Sequence, residues 1–178
     1  MNNLCRSVIF FCATIALTTP HSVASDDDAV AQYSERAIEL LRDAISRETA
    51  HGQGLVPAYA ESLRQVFLEA GFSPEALTIV PYGETASLVV RYEGDGSSGR
   101  EPILFSSHMD VVPADPESWL RHPFELQADN TFFYGRGVLD NKFDVTILTT
   151  LFMWLKESGF VPSRDLVIAF TGDEESFQ

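Results

Sequence analysis

Cysteine is nearly missing from this sequence of 178 residues, which has only Cys5 and Cys12. Both fall in an opening segment with the layout of a secretory leader. Arg6 precedes an apolar run over residues 8–17 (VIFFCATIAL), and Ser22-Val23-Ala24 offers small residues for cleavage after Ala24. A short membrane anchor or a buried first helix is the alternative reading. A mature chain starting at Ser25 has no cysteine, which excludes disulfides and thiolate chemistry. Catalysis would then fall to oxygen and nitrogen groups, or to a metal. Long hydrophobic runs are missing as well: the run over residues 8–17 is too short to span a bilayer, and no later stretch is longer and free of charge. The expected location is secreted or periplasmic.

Basic residues are scarce. Lys and Arg number 12 against 26 Asp and Glu, a net charge of −14, and loss of Arg6 with the leader makes the mature chain more acidic still. Such a chain repels nucleic acid and anionic lipid. The excess of carboxylates serves either solubility or the neutralisation of a bound cation, and composition alone does not choose.

What is present reads as alternating helix and strand. Asp26, Asp27 and Asp28 suit the N-terminus of a helix, where carboxylates meet free N–H groups. Val30, Tyr33, Ala37, Leu40, Leu41 and Ala44 recur at spacings of three and four, predicting one apolar face up to about Ser46. A glycine-rich loop (HGQGLVP) leads to a second amphipathic helix over 58–70, stopped by Gly71. Strands are predicted over 77–80, 86–92, 102–107 and 166–170, with a short one over 131–134. Residues 94–99 form a turn, 111–130 a loop-rich excursion, and 141–157 a helix with Val145, Leu148, Phe152 and Leu155 on one side. The order implies an α/β layered domain.

Three polar segments stand at element ends. Ser106-Ser107-His108-Met109-Asp110 follows a buried strand, so His108 and Asp110, two apart, point the same way. Open α/β sheets place ligands beyond such carboxyl ends, and a carboxylate on the second ring nitrogen makes a histidine a better metal ligand. A turn-stabilising pair explains the same residues. In 134–142 (YGRGVLDNK), Asp140 precedes a helix and serves as an N-cap or as a ligand. In 171–176 (TGDEES), Asp173, Glu174 and Glu175 repel one another unless they are solvated or offset by a cation. Taken together, imidazole and carboxylates make a donor mixture suited to zinc, with manganese or cobalt tolerated.

These three segments, SSHMDVVP, YGRGVLDNK and TGDEES, resemble in order and spacing the metal motifs of the M20 family of zinc metallopeptidases and amidohydrolases. The resemblance covers roughly residues 30–178. Trp119 to Phe124 (WLRHPF), followed by FFYGRGVLDNK, resembles most the carboxypeptidase S-like branch, which includes secreted enzymes acting on N-acyl amino acids. The resemblance implies an α/β catalytic domain with a central mixed sheet flanked by helices, holding two zinc ions. It implies hydrolysis of an amide bond in small peptides or N-acyl amino acids. His108 would ligate the first zinc, Asp140 would bridge both, and Glu175 would ligate the second. Glu174 would act as general base, and Asp110 would orient His108. The peptide bond after Asp140 would be cis.

The pattern departs from the family in places. Phe143 and Asp144 follow Lys142 where the family usually has glycine, which predicts altered packing near Phe143. The family also needs a carboxylate and a histidine downstream of the paired glutamates. The histidines here are His21, His51, His108 and His122, and none follows Glu175. The family's dimerisation domain is also absent, so a homo-oligomer is expected only of a longer parent. Residues 25–178 therefore read as the N-terminal part of a catalytic domain: a fragment, a truncated gene model or a relic. The alternative is a non-catalytic remnant or an interaction module with weak or no metal binding. His51 and His122 are expected to be ordinary surface residues, Trp119 and Phe124 loop anchors, and Arg136 part of a structural salt bridge.

Overall fold

A computed structural model describes residues 26–176; the leader expected over residues 1–24 lies outside the described residues. Two helices come first, α1 (Asp26–Ser46) and α2 (Val56–Glu69). Helix α2 starts two residues earlier than its apolar periodicity predicts. Pro57 stands in its first turn, where a missing N–H costs nothing. Gly71 ends it at φ 90°, a backbone region that favours glycine.

Four strands build the main sheet: β1 (Leu77–Tyr82), β2 (Thr85–Tyr92), β3 (Ile103–His108) and β6 (Leu166–Thr171), in the order β1-β2-β6-β3. Strand β2 runs antiparallel to both β1 and β6, whereas β3 and β6 are parallel. Parallel neighbours need a crossover, and helix α3 (Lys142–Glu157) supplies it. The chain is therefore an α/β domain with a central mixed sheet flanked by helices. The excursion after β3 contains a separate two-stranded ribbon, β4 (Gln127–Ala128) with β5 (Phe133–Tyr134).

Strand alternation divides the sheet faces. Ala86, Leu88, Val90, Tyr92, Ile168 and Phe170 point into one core with Tyr59, Leu63 and Phe67 of α2 and Val145, Phe152 and Met153 of α3. The face bearing Arg91, Leu104 and Ser106 stays exposed at those residues. Helix α1 behaves differently along its length: Leu41, Ala44 and Ile45 are buried, whereas Val30 is exposed. Its middle is tied to the end of α3, where Tyr33 Oη donates to Glu157 at 2.5 Å and Arg36 pairs with the same carboxylate at 3.0 Å.

Candidate metal centre

The parallel register of β3 and β6 sets the site. His108 is the last residue of β3 and pairs with Thr171, the last residue of β6. The chain leaving β6 turns at Gly172, where an added Cβ would sit 2.4 Å from both Thr85 Oγ1 and Val56 Cγ1. Only a glycine lets the backbone pass so close to β2 and α2. Glu174 and Glu175 follow in a short 3-10 turn above the end of β3. Asp140 arrives from the other side, one residue before the N-cap of α3, and the Asp140–Asn141 bond is cis.

His108 is buried and held at both ring nitrogens. Nδ1 lies 3.0 Å from the backbone carbonyl of Asp110 and 3.4 Å from its Oδ1. Nε2 lies 2.9 Å from Asp140 Oδ1 and 3.9 Å from Glu174 Oε2. One donor atom each from His108, Glu174 and Glu175 falls within a span of 4.8 Å. Asp110 also joins the two strand ends, because its Oδ2 accepts the Glu175 N–H at 2.8 Å across 65 residues of chain. Its buried Oδ1 faces His108 Nδ1 at 3.4 Å and has no closer hydrogen-bond partner among the described residues.

The electrostatics favour a cation. The Asp110 carboxylate, against the opposing effect of burial and with help from Asp140, raises the His108 pKa to about 9. Burial would raise the Asp110 carboxyl, but its bonds to His108 and to the Glu175 N–H hold it below the usual range. Burial, followed by the charge of Asp140, raises Glu175. Four carboxylates, those of Asp110, Asp140, Glu174 and Glu175, thus surround one imidazolium and leave negative charge uncompensated. The donor set fits a divalent ion such as zinc, with neutral imidazole and carboxylate oxygens as ligands. A metal must displace the His108 proton, which is held up to about pH 9. Zinc affinity is therefore expected to climb about tenfold per pH unit below that value and to level off above it. A competition titration with a chelating dye across this range checks the slope, and a flat profile would show that His108 is not a ligand.

Lys142 is a residue whose role the sequence reading missed. It is completely buried, and its Nζ donates to the carbonyls of Ala44 at 2.8 Å and Arg47 at 2.5 Å. Burial pushes its pKa down to about 7, while the carbonyl end of α1 favours its charged form. This contact ties α1 to the start of α3, two residues past Asp140. The available signal was a lysine at a helix N-terminus, where a cation opposes the helix dipole. Thr49 is a second brace: its hydroxyl donates to Met109 O at 2.7 Å, and its own carbonyl accepts from Val111 N–H.

Other expectations come out mixed. His51 and His122 are exposed, with His51 paired to Glu84 at 3.0 Å. Phe124 is buried beside Ala50 and Val111, as an anchor should be. Arg136 makes no ion pair among the described residues. Its guanidinium lies 5.1 Å over the Trp119 ring, because this turn presents an aromatic face and no carboxylate. Phe143 is 39% exposed and stands at the surface.

Residues 104–177 match the family model for peptidase family M20/M25/M40. The N-fatty-acyl-amino acid synthase/hydrolase of Mus musculus is 30% identical over 148 residues, covering 83% of this chain and 28% of its own length. The di-peptidase Dug1p of Saccharomyces cerevisiae superposes with a TM-score of 0.67 at 22% identity, covering 83% of this chain and 34% of that one. The M20 family metallo-carboxypeptidase of Sulfolobus solfataricus superposes with a TM-score of 0.66 at 19% identity, covering 79% and 31%. The chain spans 14% to 35% of the length of curated relatives that it matches. These matches and the strand-end cluster agree on one conclusion: the chain has the fold of the M20-family metallopeptidases and amidohydrolases.

Proposed function

We propose that this chain belongs to the M20 family and supplies the metal-holding part of a zinc-dependent amide hydrolase acting on small peptides or N-acyl amino acids. The observation that carries the reading is the convergence of His108, Asp140, Glu174 and Glu175 at the joint carboxyl end of β3 and β6. His108, Asp140 and Glu175 would hold the metal, and Asp140 would be the residue shared if two ions are bound. Cobalt or manganese are tolerable substitutes. The chemistry a bound zinc would supply is that of a Lewis acid, with a lowered pKa for a bound water and a polarised scissile carbonyl. Glu174 takes the proton of the attacking water as the C–O bond forms. It returns that proton to the nitrogen as the C–N bond breaks, since an amine leaves poorly as an anion. Its side chain is exposed and lies further from Nε2 than Asp140 does, which suits a base that must not be a tightly held ligand. Asp110 positions His108 through its carbonyl and positions Glu175 through its carboxylate.

The name of the mouse relative supports N-acyl amino acids as the substrate class, and a Dictyostelium discoideum relative named probable carboxypeptidase S-like 2, 38% identical over 90 residues, supports that branch as the kinship. The leader-like segment supports secretion or another extracytoplasmic location. Among the described residues no helix is long and apolar enough to cross a membrane.

One observation favours a second reading. Among the described residues only His108, Glu174 and Glu175 form a cluster of possible ligands in common reach, which suits a single weak ion and a binding module. Zinc content by mass spectrometry on the chain from Ser25 separates the two readings, with Asp140→Ala as control. The hydrolase reading expects one zinc or more per wild-type chain, lost in the control. Zinc retained by Asp140→Ala would sink the bridging role. A folded chain with no zinc would sink metal holding by this chain and leave an interaction module without metal.

A further inference from the structure

Glu84 lies in the turn between β1 and β2, exposed but committed. Its Oε1 accepts the Gly52 N–H at 2.7 Å and lies 3.0 Å from His51 Nδ1. These contacts clasp the turn to the glycine-rich loop between α1 and α2. Gly52 and Gly54 have φ of 84° and 64°, a region that glycine enters freely, so the loop has few restraints of its own. Below the clasp is a cavity of about 450 Å³. Thr49, His51, Glu84, Thr85, Asp110 and Gly172 stand in its wall, so it reaches down to the strand ends that carry the metal cluster.

Each clasped segment also grips one of those strand ends. Thr49 Oγ1 donates to the carbonyl of Met109, which stands between His108 and Asp110, at 2.7 Å. Thr85, the chain neighbour of Glu84, donates to the Gly172 carbonyl at 2.5 Å. The Glu175 N–H closes the circuit on Asp110 Oδ2 at 2.8 Å. Four hydrogen bonds thus form one ring: Glu84 to Gly52, Thr49 to Met109, Asp110 to Glu175, and Gly172 to Thr85. The ring matters because the sheet stops short of the glutamates. The pairing of β3 with β6 ends with Met109 N–H on Thr171 O at 2.7 Å. Past Thr171, the contacts of Gly172 and Glu175 within the ring fasten the glutamate turn to the rest of the fold.

We propose that Glu84 is a positioning residue of the metal centre: by holding the glycine-rich loop against the β1–β2 turn it fixes Thr49 on Met109 and, through Asp110, the stance of Glu175 over His108. Ligands held in place before an ion arrives lose less conformational freedom when it binds. Opening the clasp frees the loop beyond Thr49 and lets the glutamate turn shift relative to β3. The role is geometric, so it needs the acceptor oxygen of Glu84 and not its charge. The consequence for zinc rests on the metal-holding reading, whereas the restraint on Glu175 is a property of the chain alone.

Two readouts test this together: amide hydrogen exchange in the metal-free chain, followed by NMR, and zinc affinity by competition with a chelating dye. In Glu84→Ala the Gly52 amide is expected to lose its protection, and the Glu175 amide to exchange about threefold faster or more. Zinc affinity should fall about threefold to tenfold, less than the about 10–100-fold typical of direct outer-shell partners. The urea midpoint should not move, because the side chain is exposed. Glu84→Gln keeps an acceptor for the Gly52 N–H and drops the charge, so both readouts should stay within about twofold of wild type. An unchanged Glu175 amide in Glu84→Ala overturns the proposal. So does an equal loss of zinc affinity in Glu84→Gln, which would mark a long-range charge effect. Faster exchange shared by the core amides of β2 and β6 would mark general loosening and overturns it too. The two claims fail separately: a Glu175 amide that responds in a chain that binds no zinc sinks the metal-holding reading and spares the positioning role. Zinc binding with an unresponsive Glu175 amide does the reverse.

Discussion

Glu174→Gln is expected to cut amide hydrolysis by about 10²–10⁴-fold in the zinc-loaded, active protein, with zinc content unchanged. The substitution keeps size and hydrogen-bonding reach and removes the one property the mechanism needs, a carboxylate able to take a proton from water and return it to the amine. Metal retention is expected because His108 is held mainly by Asp110 and Asp140, and Glu174 Oε2 stands 3.9 Å from Nε2. The matched substitution Glu175→Gln should behave in the opposite way. Loss of a ligand lowers zinc affinity by at least the about 10–100-fold seen for outer-shell partners, and activity should then recover in part at high zinc. Parallel measurement of kcat, KM and bound zinc checks both. Equal loss of zinc in the two variants would show that the adjacent glutamates do not divide the roles of base and ligand.

Lys142→Met is expected to destabilise the folded protein by about 3 kcal/mol, read as a lower urea midpoint at unchanged m-value. Methionine fills similar space but leaves the Ala44 and Arg47 carbonyls without their buried donor. Each unpaired group costs about 1–3 kcal/mol. Arginine should not rescue the fold, because the lysine stem already packs against the Gly137 backbone: a Cβ there would come within 3.1 Å of Lys142 Cδ. Zinc affinity should fall together with stability, since the same contact seats the turn that carries Asp140. Unchanged stability in Lys142→Met would mean that the buried ammonium contributes nothing net, its desolvation cancelling its bonds.

Much of this architecture was legible in residue patterns. The three helices and the four sheet strands follow from spacings of three to four and from short apolar runs, because burial on one face imposes those periods on any chain. The start of α2 was misplaced because an apolar period does not register a proline in the first turn. The ribbon β4–β5 was half seen: Phe133–Tyr134 fell within a predicted strand, but Gln127–Ala128 carries no periodic signal and is held by pairing alone. Arg136 was given an ion pair, and the fold places Trp119 under it instead. The sequence names donors and acceptors but not which of them a loop brings together.

The kinds of ligand atom and their positions at strand ends were determined by the sequence itself. Those are properties of single residues and of their neighbours along the chain. Tertiary structure decided the rest. The in-register pairing of His108 with Thr171 brings Glu174 and Glu175 over a histidine more than sixty residues earlier. The Asp110 backbone carbonyl, which no side-chain motif can specify, lies closest to Nδ1. Lys142 became a buried brace because α1 ends where α3 begins. Each of these facts is a distance between segments remote in sequence. Such distances are set by sheet register and helix packing, which local patterns constrain only collectively.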